Sequence, residues 1–265
     1  MPRVTTVSLR ERKKAGDKIA VLTAYDFPTA KLMDECGIDV LLVGDSCGMA
    51  VQGRENTLCV TMEQMLYHTE MVTRAARNAL VVGDMPFLSY QVSVEDAVRN
   101  AGRFIAEAGA QAIKLEGPVS HFGAHIRAIV NASIPVMGHI GLQPQSIHML
   151  GGYRVQGRDA ESRARLIQDA KALEEAGCFA LVLECVPADL ASAITASIGI
   201  PTIGIGAGPA CDGQVLVMHD MLGFGLYTKF AHVFSDVRAG MCQAFEGYRV
   251  AVKDGTFPTA EHSFE

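Results

Sequence analysis

Short runs of Val, Ile and Leu recur along the chain, each bounded by Gly, Pro or a charge, and between them apolar positions return at helical spacing. Read as buried strands, the runs predict eight, near residues 19–25, 40–44, 79–84, 112–116, 135–140, 180–185, 201–205 and 214–218. Three of them are entered the same way, through a helix ending in Glu-x-Gly: ECGIDVLLVGD, EAGAQAIKLEG and EAGCFALVLEC. Gly37, Gly109 and Gly177 are placed for the left-handed position that closes a helix, which a residue without Cβ fills at no steric cost. NASIPVMGH and ASIGIPTIGIG enter their strands through Ile-Pro, and LLVGDS and LVVGDMP both end in Val-Gly-Asp.

Thr61 with Gln64, and Ser93 with Asp96, mark helix starts, and a helix after residue 233 closes the set. Eight strands alternating with helices fit an α/β fold, a (β/α)8 TIM barrel, better than a doubly wound sheet. With no linker in view, residues 1–265 are expected to form a single barrel domain with a short N-terminal helix.

Composition narrows the picture by exclusion. No apolar run reaches the ~18–20 residues of a membrane span, and the N-terminal stretch lacks the apolar segment and cleavage site of a secretory signal. A cytoplasmic protein with no membrane partner is expected. A net charge of −6 offers no basic field for nucleic acid, and the one cationic run, Arg10 to Lys14, reads as the solvated face of a first helix. Seven cysteines, an odd number without CxxC spacing, indicate neither a disulfide framework nor a zinc site.

In such a barrel the chemistry sits where strands end. Those positions hold Asp26, Asp45, Asp84, Lys114 with Glu116, His139 and Glu184. Charges ending buried strands are costly unless paired or ligated, and capping of the following helix accounts for one or two of them at most. Asp45 and Asp84 end consecutive strands in the same Val-Gly-Asp phase, so either one takes up a proton, or a cation sits between them, or both merely cap helices. The all-oxygen setting favours Mg²⁺ or a similar hard ion. Lys114 and Glu116, one residue apart, project to the same face and either serve an anionic substrate or neutralise each other. Glu184 has apolar neighbours in Val182, Cys185 and Val186, a setting that raises a carboxyl pKa and suits a general base. His139 either orients substrate or metal-bound water or is a hydrogen-bonded core histidine.

GIGAGPACDG breaks the GxGxxG pattern at Pro209 and reads as a Gly-rich loop that lets a ligand approach the backbone, not as a dinucleotide site. Cys47 reads as a small buried hydrophobe. Met62, Met65 and Met71 read as core or interface filler.

Taken together, TAYD, VGDSCGMAVQG, YHTEMV, GDMPFLSY, IKLEG, GHIGLQPQS, GGYRVQG, LVLECVP, GIGAGPACDGQVLVMHDMLG and the terminal HSF resemble the ketopantoate hydroxymethyltransferase family from about residue 5 to 264. The departures are Pro118 where a second Gly is commoner, Gln143 where Thr is usual, and Cys47 and Thr228; none removes a charged group. The resemblance implies transfer of a hydroxymethyl group from 5,10-methylenetetrahydrofolate to 3-methyl-2-oxobutanoate through a metal-stabilised enolate, giving 2-dehydropantoate for pantothenate synthesis. It implies Asp45, Asp84 and Glu116 as ligands of Mg²⁺ and Glu184 as the catalytic base. Asp45, Ser46, Asp84, Lys114 and His139 would bind substrate. It also implies a homo-oligomer, commonly a decamer. A lyase of the phosphoenolpyruvate mutase and isocitrate lyase group is the enzymatic alternative, although no KKCGH-like loop occurs, and a metabolite-binding barrel without catalysis is the other.

Overall fold

A computed structural model of the chain describes residues 3–225 and 229–264; Thr228, one of the departures above, lies outside the described residues. Met1–Val217 forms one compact unit and Met218–Glu265 a second.

The first unit is a closed barrel of eight parallel strands in the order β1 to β8, with β8 pairing back to β1. The strands are β1 (Ile19–Thr23), β2 (Val40–Val43), β3 (Leu80–Asp84), β4 (Ala112–Lys114), β5 (Val136–Gly141), β6 (Ala180–Glu184), β7 (Thr202–Ile205) and β8 (Gly213–Leu216). Helices α1 (Thr6–Ala15), α2 (Phe27–Glu35), α3 (Cys47–Ala50), α4 (Met62–Ala75), α5 (Val94–Ala106), α6 (Val119–Asn131), α7 (Ile147–Leu150), α8 (Ala160–Glu175) and α9 (Ala188–Ser197) make up the rest. Gly37, Gly109 and Gly177 adopt φ of 81°, 72° and 101°, the left-handed turn expected of them. Thr61 and Gln64 form a reciprocal capping box on α4, and the Ser93 side chain caps α5.

Every one of the eight strands lies where the hydrophobic pattern puts it, with differences at the ends. β1 stops at Thr23, and Asp26 instead caps α2 by accepting the Thr29 N–H at 2.9 Å. β4 stops at Lys114, so Glu116 belongs to the loop; the Tyr90 hydroxyl, not a strand neighbour, accepts the Glu116 N–H at 3.2 Å and lies 3.0 Å from its carbonyl.

The inner wall shows why chemistry collects at one mouth. Ile19, Val21, Val40, Leu42, Leu80, Val82, Ala112, Met137, Val182, Ile203 and Val215 alternate inward along the strands and make one apolar core. Two residues further up the same inward rows stand Asp84 after Val82, Lys114 after Ala112, His139 after Met137 and Glu184 after Val182. The lower barrel is dry filling, and its upper layer is charged.

Leu9 of α1 is fully buried and joins this core together with Val4. Arg12 pairs with Asp39 at 2.6 Å and Lys13 with Asp212 at 2.9 Å. The first helix is therefore not simply a solvated basic face; it closes on the barrel through Leu9 and uses part of the Arg10 to Lys14 run as ties.

The second unit contains α10 (Met218–Met221) and the helix expected after residue 233, α11 (Val237–Lys253), capped by Asp236 through the Ala239 N–H. Tyr248 of α11 meets Phe257 edge-on with centroids 5.8 Å apart. Among the described residues no helix is long and apolar enough to cross a membrane.

Candidate active site

The charged groups at the barrel mouth form a row of alternating sign. Lys114 Nζ lies 2.8 Å from one Asp84 oxygen and 2.9 Å from the other. It is 3.7 Å from Glu116, whose carboxylate is 3.5 Å from His139 Nδ1, and His139 Nε2 is 3.3 Å from Glu184. The row thus runs Asp84, Lys114, Glu116, His139, Glu184. Asp84, Lys114, Glu116 and His139 are buried, while the Glu184 side chain is 16% accessible.

Burial opposes charge at every one of these sites, and the neighbours decide the outcome. For Lys114, burial favours the neutral amine, but Asp84, Glu116 and Asp45 outweigh it and push the pKa up. At Asp84 burial pushes the carboxyl up against the pull of Lys114; the forked contact identifies an ionised pair. At Glu116 burial is overcome by Lys114, His139 and the Gln145 N–H, which hold the carboxyl below the usual range. For His139, burial and Lys114 both favour the neutral ring, yet contact with Glu116 and Glu184 raises its pKa to about 9. The imidazolium contacts its carboxylates at ion-pair range, without hydrogen-bond geometry on either nitrogen.

Asp45 stands apart from the row. β2 and β3 pair Val43 with Gly83, so Gly44 is level with Asp84 and Asp45 sits one residue higher. The two aspartates share a Val-Gly-Asp phase in sequence but are staggered in space, and the Asp45 N–H points toward Asp84 Oδ2 at 3.5 Å. The Asp45 carboxylate accepts from Gln145 Nε2 at 2.9 Å and makes no ion pair among the described residues. Burial, Asp84 and Glu116 together push its pKa well up. Ser46, next in the chain, shares a 2.9 Å hydroxyl contact with buried Tyr25, whose carbonyl contacts His68 Nδ1 at 2.7 Å.

The structure thus brings Asp45, Asp84, Lys114, Glu116, His139 and Glu184 into one cluster and takes Asp26 out of it as a helix cap. Glu184 differs from its expected setting: its carboxylate faces His139 and solvent instead of an apolar pocket. Cys47 is fully buried, 3.8 Å from Met65 Sδ, with its thiol pushed to about 12 mainly by burial, so it is no nucleophile. In the Gly-rich loop a Cβ at Gly208 would meet the Ala188 Cβ at 2.5 Å, so that glycine lets α9 come close.

Pro118 has φ of −78°, natural for proline, at the N-cap of α6. Gln143 sits where a 3-10 turn, Pro144–Ser146, begins, and its side chain makes no capping bond.

Gln145 and Tyr90 were not singled out from the sequence. Gln145 links Asp45, the Met85 carbonyl, Tyr90 and Glu116, yet a neutral amide does not announce itself as a stranded charge does. Its one signal is position, in the short 3-10 turn Pro144–Ser146 that follows β5.

Known proteins resemble this chain at two levels. Among solved structures, phosphonopyruvate hydrolase in complex with oxalate and Mg²⁺ aligns with a TM-score of 0.64 at 15% identity, over 98% of this chain and 93% of that one. A 2,3-dimethylmalate lyase of the phosphoenolpyruvate mutase and isocitrate lyase superfamily aligns at 0.59 and 17% identity, over 98% and 91%. At such identities the likeness is one of fold. Sequence relatives are much nearer: 3-methyl-2-oxobutanoate hydroxymethyltransferase of Syntrophomonas wolfei is 54% identical over 100% of this chain and 96% of its own length. The protein of that name from Clostridium novyi is 57% identical over 98% and 95%. The profile of the family described as ketopantoate hydroxymethyltransferase matches residues 3–260, and the chain therefore belongs to the ketopantoate hydroxymethyltransferase family.

Proposed function

We propose that this chain transfers a hydroxymethyl group from 5,10-methylenetetrahydrofolate to 3-methyl-2-oxobutanoate. The products are 2-dehydropantoate and tetrahydrofolate, water supplying the hydroxyl oxygen. The observation that carries the reading is the charged row ending in Glu184, beside a buried carboxylate, Asp45, that makes no ion pair among the described residues.

That imbalance is also the test of whether a hard divalent cation belongs here. Among the described residues Asp45, Asp84, Glu116 and Glu184 face the cations Lys114 and His139 alone, so with all four carboxylates ionised two negative charges are uncompensated. No three His, Cys, Asp or Glu side chains among the described residues form a ready-made metal cage. The donors nonetheless fit Mg²⁺, which takes one or two protein carboxylates and completes its octahedron with water and substrate oxygens. Asp45 and Asp84 would hold it, with Glu116 as an outer ligand. When bound, such an ion supplies Lewis-acid polarisation of the keto group.

The chain's own residues do the rest. Glu184, accessible and held by His139, takes the C3 proton, and the C–H electron pair forms the enolate that attacks the methylene carbon. Both C–N bonds to the folate break with their electron pairs left on nitrogen, and water supplies the hydroxyl. The folate nitrogens take up one proton from water and the one removed from C3. His139 holds the Glu184 carboxylate in place from 3.3 Å. Lys114 offsets the negative charge of the keto acid, and Ser46, steadied by Tyr25, binds its carboxylate. The cytoplasmic location and decameric assembly that the family resemblance implies belong to the same proposal.

The deciding experiment is exchange of the C3 proton of 3-methyl-2-oxobutanoate in D₂O with Mg²⁺ present, followed by NMR. Exchange is expected from the native protein, abolished in Glu184→Gln with keto acid binding retained, and halted by EDTA until Mg²⁺ is restored. Binding of the keto acid without exchange would leave a metabolite-binding barrel as the better account.

A further inference from the structure

Gln145 has every hydrogen-bonding capacity of its amide filled. Nε2 donates to Asp45 Oδ2 and to the Met85 carbonyl, both at 2.9 Å. Oε1 accepts from the Tyr90 hydroxyl at 2.9 Å and from Gln91 Nε2 at 3.1 Å. Its backbone N–H donates to Glu116 Oε2 at 3.1 Å. The network admits only one orientation of the amide, because a flip would set its oxygen against Asp45 and the Met85 carbonyl. Gln145 is 5% exposed and Tyr90 is 1% exposed, so the bonds are made away from water, where an unmade one is costly.

We propose that Gln145 is a positioning residue that sets the geometry of the cation site, with Tyr90 as its backing. It touches two carboxylates at once, Asp45 through its side chain and Glu116 through its backbone, and these lie just after β2 and β4, strands that are not neighbours in the barrel. Among the described residues no other hydrogen bond is made to the Asp45 carboxylate; its peptide N–H and carbonyl, toward Asp84 and Gly48, hold the backbone alone. Tyr90 in turn braces both ends, its hydroxyl donating to Gln145 Oε1 and accepting the Glu116 N–H. Hydrogen bonds to metal-ligating carboxylates orient them and tune affinity. This inference rests on the reading of Asp45 and Glu116 as cation ligands.

The test is titration of the metal-free protein with Mn²⁺ alone by calorimetry, comparing the native chain with Gln145→Met, Tyr90→Phe and Asp45→Asn. Gln145→Met keeps length and removes the amide, and its Mn²⁺ affinity is expected to fall by about 10–100-fold. Tyr90→Phe is expected to weaken binding less. A merely structural role would lower the melting temperature and leave Mn²⁺ affinity alone. A folded Gln145→Met protein with native affinity overturns the proposal; if that variant does not fold, native affinity in Tyr90→Phe overturns it and a loss supports it. Native protein that binds Mn²⁺ in a manner unaffected by Asp45→Asn, or binds none, removes the cation site itself and the proposal with it. Loss in Asp45→Asn without loss in the other two variants leaves the cation site standing and Gln145 without this role.

Discussion

Lys114 and Asp84 form a forked ion pair across β3 and β4, residues that are direct register partners, with side chains only 5% and 3% accessible. The pair anchors the row of alternating charge, since Lys114 also reaches Glu116. Removing one member of a buried pair leaves the other charged in a poorly solvated place, which typically costs about 3–5 kcal/mol. Lys114→Met should therefore lower stability by about that much in denaturant unfolding, and should also stop C3 exchange. Adding Asp84→Asn removes the stranded charge and should restore part of the stability without restoring exchange. A double variant no more stable than Lys114→Met would show that the pair is not the source of the loss.

Gly141 links backbone geometry to the proposed base. It lies opposite Glu184 in the β5–β6 register, has φ of 98°, and would push a Cβ into the Glu184 carbonyl, which already accepts the Leu142 N–H at 2.8 Å. Gly141→Ala should displace the strand end that carries Glu184. A misplacement of about 1 Å can cost on the order of 100-fold in rate, so exchange should fall at least tenfold, by roughly that reasoning. Gly151→Ala is the control: Gly151 also has positive φ, 68°, but a Cβ there meets nothing within 4 Å. Equal loss of exchange in both variants would make backbone strain alone the cause.

The barrel and most of its mouth were legible because two physical signals are local. Buried parallel strands must be apolar on both faces, and helices closing in a left-handed turn favour glycine, so β2, β4 and β6 could be placed from their Glu-x-Gly entries alone. Charges at strand ends were equally visible, since Asp84, Lys114, His139 and Glu184 interrupt apolar rows. What escaped depends on closure. The stagger of Asp45 over Asp84 comes from the shear between neighbouring strands of a barrel, which no single segment encodes. The direct contact of Glu184 with His139 likewise joins β5 to β6, and the bracing by Gln145 and Tyr90 uses neutral groups whose meaning appears only once the loops converge.

Asp34 provides a stability test away from the chemistry. This residue of α2 is 5% exposed, and its carboxylate accepts the Asn78 N–H at 2.9 Å, the Ala79 N–H at 2.7 Å and the Asn78 side-chain amide at 3.1 Å. These bonds tie α2 to the chain just ahead of β3. Burial alone would raise its pKa, but the N–H donors of Ala79 and Asn78 outweigh burial and hold it below the ordinary carboxylate value. A carboxyl depressed on folding adds stability that is present above its unfolded pKa, about 3.9, and is lost as pH falls through the lower folded value. Asp34→Ala leaves buried N–H groups unpaired and should cost about 2–4 kcal/mol near neutral pH, taking each charged hydrogen bond at about 1.5–3 kcal/mol with incomplete additivity. The gap in melting temperature between native and variant protein should stay constant from neutral pH down to about 4 and narrow below it. A gap that instead widened on acidification would mean that the carboxyl is protonated in the folded state and that its bonds to Asn78 and Ala79 are not charge-assisted.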